Sequence, residues 1–171
     1  FLIKWNSDNE GEHYQVTDVG IKMAVCSPNG KNVAIYESDG GSVNKVTVWD
    51  WATLTKKYQK KLKDSVTTLS YSAKGTYLII GTATVDGSIF VRTSDWSTVD
   101  KVKENTSIVS FIQTSDTEKT AVMYSPAGTL SYYNIQTGKT KAKFQCMQGL
   151  TDVVLFSNDL YLAGKKDNSI Y

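Results

Sequence analysis

Apolar residues in this chain come in short runs, many of them β-branched or aromatic, separated by clusters of Gly, Asn, Asp and Ser. Runs bounded in that way predict strands. No stretch sustains an apolar period of 3.6 residues, so essentially no helix is expected. Four strands are predicted in succession over 21–26, 32–36, 45–51 and 56–62. A second set follows at 66–71, 77–82, 88–92 and 99–103, and a third at 108–112, 120–124, 130–135 and 140–145. A fourth set starts at 153–156 and 161–163 and reaches a third strand only at 170–171.

The strands within a set differ in pattern. The first two are nearly continuous apolar runs, as in Tyr77-Leu78-Ile79-Ile80, which predicts burial on both faces. The fourth alternates. A period of two places Tyr58, Lys60 and Leu62 on one face and Lys57, Gln59, Lys61 and Lys63 on the other. Lysines on an outer strand protect an open sheet edge against pairing with other chains. Buried inner strands with a charged outer strand suit radially arranged four-stranded sheets.

The sets form a repeat. A Ser near the end of an apolar strand recurs at Ser27, Ser72, Ser115 and Ser157, at spacings of 45, 43 and 42 residues. Its frame is Val25-Cys26-Ser27-Pro28-Asn29-Gly30, then Leu69-Ser70-Tyr71-Ser72-Ala73-Lys74-Gly75, with weaker copies ending at Asp116 and Asp159. That period lies in the range of propeller blades. The expected fold is all-β, a β-propeller of four-stranded antiparallel blades with about four repeats in one domain. The repeats are approximately 1–18 (the end of a preceding blade), 19–63, 64–104, 105–146 and an incomplete 147–171.

Val46-Thr47-Val48-Trp49-Asp50-Trp51 closes a third strand with a Trp-Asp dipeptide, downstream of the Ser27-Pro28-Asn29-Gly30 and Ser38-Asp39-Gly40 turns. Trp5-Asn6 is a degenerate copy 44 residues earlier, and Asp95-Trp96-Ser97-Thr98-Val99 echoes Asp50-Trp51-Ala52-Thr53-Leu54 at a spacing of 45. In these features the chain resembles the WD40-repeat family. The resemblance implies a propeller that commonly closes with seven blades and presents loops to protein partners. Two features depart from it. The Gly-His pair that usually precedes the first strand is missing from every repeat, and the single histidine, His13, lies in an outer strand. The buried His-to-Asp network of that family is therefore not expected in its usual form. The stretch from Asn134 to Lys139 would suit a quinoprotein-like propeller equally well.

Composition narrows the picture further. The 171 residues are 40% hydrophobic and 21% charged, as in soluble globular proteins, and no run approaches a membrane span. A net charge of +2 demands neither nucleic acid nor a membrane surface as partner. Cys26 and Cys146, far apart, predict a reducing intracellular setting, with Cys26 as a small buried apolar group. Phe1 to Asn6 reads as a strand already in progress, with neither an initiator Met nor a basic leader, and Asn168 to Tyr171 as a strand without a terminus. An excerpt of a longer chain is expected, and with it a partial ring.

Candidate chemistry is sparse. His13 has no motif around it, and one histidine with two distant cysteines supplies no metal spacing. The acidic stretch Asp8, Asn9, Glu10 and Glu12 does not match a calcium loop. No catalytic, cofactor or metal residue is therefore expected. The aligned Trp49, Trp51 and Trp96 read as blade packing. Specificity on a rigid scaffold belongs in its loops. Candidate partner-binding positions are Asp39, Ser42, Asn44, Asp64, Ser65, Thr84, Asp86, Asn105 and Thr106. A candidate basic edge is Lys57, Lys61 and Lys63. The expected function is a non-enzymatic protein-interaction scaffold in a larger intracellular complex. The alternatives are a ligand-binding or catalytic quinoprotein-like propeller and, resting on the basic edge, an RNA-associated one.

Overall fold

A computed structural model describes residues 2–5, 8, 10–84, 87–101, 108–156 and 160–165. Every regular element among the described residues is a strand. The strands are β1 (Leu2–Trp5), β2 (Gly11–Tyr14), β3 (Ile21–Cys26), β4 (Asn32–Ser38), β5 (Asn44–Asp50), β6 (Lys56–Lys61), β7 (Val66–Tyr71) and β8 (Tyr77–Thr82). They continue with β9 (Ile89–Arg92), β10 (Thr98–Lys101), β11 (Phe111–Thr114), β12 (Thr120–Tyr124), β13 (Thr129–Asn134), β14 (Lys139–Gln145), β15 (Leu150–Phe156) and β16 (Leu160–Lys165).

Three antiparallel meanders of four strands follow one another along the chain: β3 to β6, β7 to β10 and β11 to β14. Two-stranded sheets, β1 with β2 and β15 with β16, flank them. The first strands draw together, β3 beside β7, β7 beside β11 and β11 beside β15. The three complete sets predicted from the pattern are thus three sheets, or blades. Four expected strands agree residue for residue, at 21–26, 66–71, 77–82 and 120–124. The strand expected at 108–112 is instead β11, three residues later, and the third strand expected at 170–171 lies outside the described residues.

The core is built between sheets. Ala34, Tyr36, Val46 and Val48 of the first blade bury against Val66, Leu78, Ile80, Ile89 and Val91 of the second. Ile79 and Phe90 of the second meet Ile112, Ala121, Met123 and Tyr133 of the third. The Phe90 and Tyr133 rings stack with centroids 5.7 Å apart. The two middle strands of each blade carry this burial, as the patterns of β4, β5, β8 and β12 show. The expectation of a first strand buried on both faces is corrected by β3. Its Ile21, Met23 and Val25 are half-buried while Lys22, Ala24 and Cys26 are exposed. Among the described residues a blade packs on only one face of β3, and Cys26 is an exposed free thiol and not part of the core.

The recurring Ser has a structural reason. Ser27 and Ser72 exchange two hydrogen bonds each with the residue five positions on. The Ser amide donates to the Asn32 or Tyr77 carbonyl at 2.8 and 2.9 Å, and the Asn32 or Tyr77 amide donates to Ser Oγ at 2.9 Å. Ser115 repeats the arrangement with Thr120, its backbone bond at 2.8 Å and its side-chain bond at 3.4 Å. All three are buried, so each hydroxyl satisfies an amide that would otherwise be orphaned at the strand entry. Ser157 lies outside the described residues.

Candidate functional site

In an antiparallel meander, alternate connections lie at opposite ends of the sheet. The turns joining first to second and third to fourth strands gather at one end, here the turn end. The second-to-third loops and the links between blades gather at the other, the loop end. Among the described residues the partner-binding candidates fall at the loop end: Asp39 and Ser42 in the 39–43 loop, Asn44 at the start of β5, Asp64 and Ser65 in the link after β6, and Thr84 in the loop after β8.

Asp39 organises the first of these loops. Its Oδ1 accepts hydrogen bonds from the amides of Gly41 at 2.8 Å and Val43 at 2.9 Å, and its Oδ2 accepts from Ser42 Oγ at 3.1 Å. The Gly41 and Val43 amides, with help from Ser42, hold its carboxyl below the usual carboxylate range. Gly40 takes the left-handed conformation, with φ of 79°, that lets the chain reverse there. Two of the predicted residues thus make one preformed loop.

Asn44, Asp64, Ser65 and Thr84 form a second group. Asn44 Nδ2 donates to the carbonyls of Asp64 at 2.9 Å and Leu62 at 3.3 Å. Asp64 Oδ2 accepts from Thr84 Oγ1 at 3.3 Å, and the Ala83 amide donates to the Ser65 carbonyl at 2.8 Å. The group therefore ties the outer connection of the first blade to the inner loop of the second. Asp86, Asn105 and Thr106 lie outside the described residues.

The basic-edge candidates are all exposed on or just after β6. Their surroundings differ. Lys57 stands 3.7 Å from Asp50, whereas Lys61 borders a cavity beside the 39–43 loop and Lys63 lies beyond the strand. The alternation expected of this strand is present, with Tyr58 and Lys60 half-buried and Lys57, Gln59 and Lys61 exposed.

The three tryptophans do not occupy one repeat position. The φ values of Leu54, Trp96 and Gly138 are 54°, 58° and 68°, and these residues lie 42 apart at matching points of the third-to-fourth turn. Trp96 is thus equivalent to Leu54 and not to Trp51, which corrects the 45-residue echo by three positions. Trp96 packs across the blades, its ring stacked 5.5 Å from that of Tyr58. Trp49 serves a different contact. Its Nε1 donates to Thr47 Oγ1 at 3.1 Å, and Lys56 lies 5.8 Å over its ring.

Sequence reasoning missed Glu37. It sits at the end of the apolar β4 and is buried. Lys45 Nζ lies 2.9 Å away, Thr17 Oγ1 donates to it at 3.0 Å, and Thr47 Oγ1 also donates to it. Where the resemblance leads one to look for a histidine-based network, this chain has a Trp49–Thr47–Glu37–Lys45 chain of contacts. The signal available was an acid inside an apolar run with a lysine directly opposite across the hairpin, Glu37 pairing Lys45. His13 is exposed on β2. Among the described residues no three His, Cys, Asp or Glu side chains are grouped to share a metal ion. No helix there is long and apolar enough to cross a membrane.

The geometry agrees with what comparison finds. Residues 1–171 match a protein family described as an N-terminal beta-propeller domain. A protein of Treponema pallidum (strain Nichols), described as uncharacterized, is 28% identical over 164 residues, which cover 96% of this chain and 27% of that protein. The chain therefore spans about a quarter of the length of the curated relative it matches. With its all-β meanders and its full-length match, the chain belongs to the family of N-terminal beta-propeller domains.

Proposed function

We propose that this domain is a protein-interaction scaffold of the WD40 type, within a larger protein complex, that works by holding loops in fixed positions and not by making or breaking bonds. The observation that carries the reading is the preformed loop end. Asp39 fixes one loop from within, and Asn44, Asp64 and Thr84 join the next two connections. Binding by loops already ordered avoids the entropy cost of ordering them in the complex. Loops carried by a rigid sheet scaffold are also where binding residues concentrate.

The test is purification of the natural full-length protein with its associated subunits, beside variants carrying Asp39→Lys or Ser42→Arg. The hydrogen bonds of these side chains stay within their own loop, so the sheet itself should still fold. A defined set of subunits retained by the natural protein and lost from both variants is the expected result. Unchanged retention in both variants would remove the loop end from the interface. Turnover of a small molecule by the purified domain would favour an enzyme instead.

A further inference from the structure

Beside the 39–43 loop, the first blade holds a cavity of about 240 Å³ bordered by Ser42, Val43, Asn44, Lys45, Gln59, Lys61 and Leu62. The register explains the grouping. Lys45 stands opposite Lys61 and Thr47 opposite Gln59, so Lys45, Gln59 and Lys61 project from one face of the sheet. Two lysines therefore border the same small space, but their charges are not equivalent. Lys45 Nζ is 2.9 Å from the buried Glu37, and that pair is neutral as a unit. Lys61 is exposed and makes no ion pair among the described residues. The cavity thus carries one uncompensated positive charge, apolar walls from Val43 and Leu62, and a rim held by the Asp39 hydrogen bonds.

We infer that this cavity receives one carboxylate side chain, a Glu or Asp, from an acidic segment of a protein partner. The carboxylate lies against Lys61 Nζ in a charge-assisted contact, and its methylene stem lies against Val43 and Leu62. A dianion such as phosphate fits less well, because Lys61 alone supplies one positive charge against two negative ones. None of the residues bordering the cavity is aromatic, so a nucleobase has nothing to stack on there. The inference rests on the loop end being an interaction surface, and it adds the chemistry of the partner.

The test measures fluorescence anisotropy of a labelled hexaglutamate peptide with the full chain, beside inorganic phosphate and a labelled oligouridylate as competitors. The peptide should bind the natural protein, weaken at least tenfold with Lys61→Gln, recover with Lys61→Arg, and change less than twofold with Lys63→Gln. No binding by the natural protein would overturn the inference. Equal weakening by Lys61→Gln and Lys63→Gln would overturn it in favour of diffuse attraction to the edge. Tighter binding of oligouridylate, lost with Lys61→Gln, would overturn it in favour of nucleic acid. Subunit retention by the Lys61→Gln protein is read beside peptide binding: no peptide binding with the subunits still retained overturns the cavity alone, so failure of the cavity and failure of the scaffold reading are separable.

Discussion

At the scale of single residues, Glu118 shows how strain and packing are traded. It holds a left-handed φ of 55° at the point where the equivalent turns carry Gly30 and Gly75. A non-glycine residue there costs of order 1 kcal/mol. The side chain offsets that cost by crossing to the previous blade. Its Oε1 accepts from the Lys74 amide at 2.6 Å and, more weakly, from Thr76 at 3.5 Å. Burial pushes this carboxyl up, but hydrogen bonds from Ser72, Thr76 and Lys74 outweigh it, and the net shift is downward. A lowered folded-state value means that stability is present above the unfolded value, near 4.3, and is lost as pH falls through the folded one. Glu118→Gln is expected to flatten that acidic loss in urea denaturation followed across pH 6 to 3. Glu118→Gly should lower stability modestly despite its easier backbone, since the tie between blades goes with it. The repeating Ser makes a sharper case. Ser72→Ala removes the acceptor for the Tyr77 amide and should cost about 1–3 kcal/mol in the same assay, the range for an unsatisfied buried donor. The Ser was legible from its spacing. Glu118 was not, because the partner that justifies it lies 44 residues away in sequence.

At the scale of elements, the period of two and the turn residues were enough to locate most strands. What they could not show was which strand would be buried. An apolar run is equally compatible with one covered face or two, and the number of neighbours decides between them. Hence β3 alternates while β4 is buried along its length. The late start of β11 has a local cause, since Ser110 already pairs through its amide with the Tyr124 carbonyl while Ile108 is exposed. Close packing of first on second strands appears at Gly81 of β8. A Cβ there would stand 2.5 Å from Thr68 Cγ2 and 3.3 Å from Thr67 Oγ1. Thr67 in turn donates at 2.6 Å to the Val109 carbonyl beside the third blade. Gly81→Val should therefore cost about 1–3 kcal/mol by overpacking and lower the melting temperature measured by circular dichroism.

For the whole molecule, the apolar core lies between sheets. Each blade offers one apolar face to the next, and repeat architectures of this kind are held by intrinsic and nearest-neighbour terms. Phe90 is fully buried at the second contact and stacks on Tyr133. Phe90→Ala should cost about 3–5 kcal/mol in chemical denaturation. Tyr58→Ala, at the half-buried outer edge against Trp96, should cost clearly less. The architecture was readable at this scale because a repeat samples the same pattern several times. The loop end was readable only as a set of connections. That Asn44, Asp64 and Thr84 meet there depends on side-chain geometry that no periodicity encodes.

The left-handed positions at Leu54, Trp96 and Gly138 carry a last consequence. Their equal spacing of 42 residues contrasts with the uneven spacing of Ser27, Ser72 and Ser115. Between the Ser and the left-handed position the chain is longest in the first blade, where the 39–43 loop intervenes. One end of the blades thus keeps a fixed gauge while the opposite end absorbs insertions. A foreign peptide spliced between Gly40 and Gly41 would lengthen the blade only where no core contact depends on its length. The fold can in this sense lengthen at the first blade's hairpin without being rebuilt.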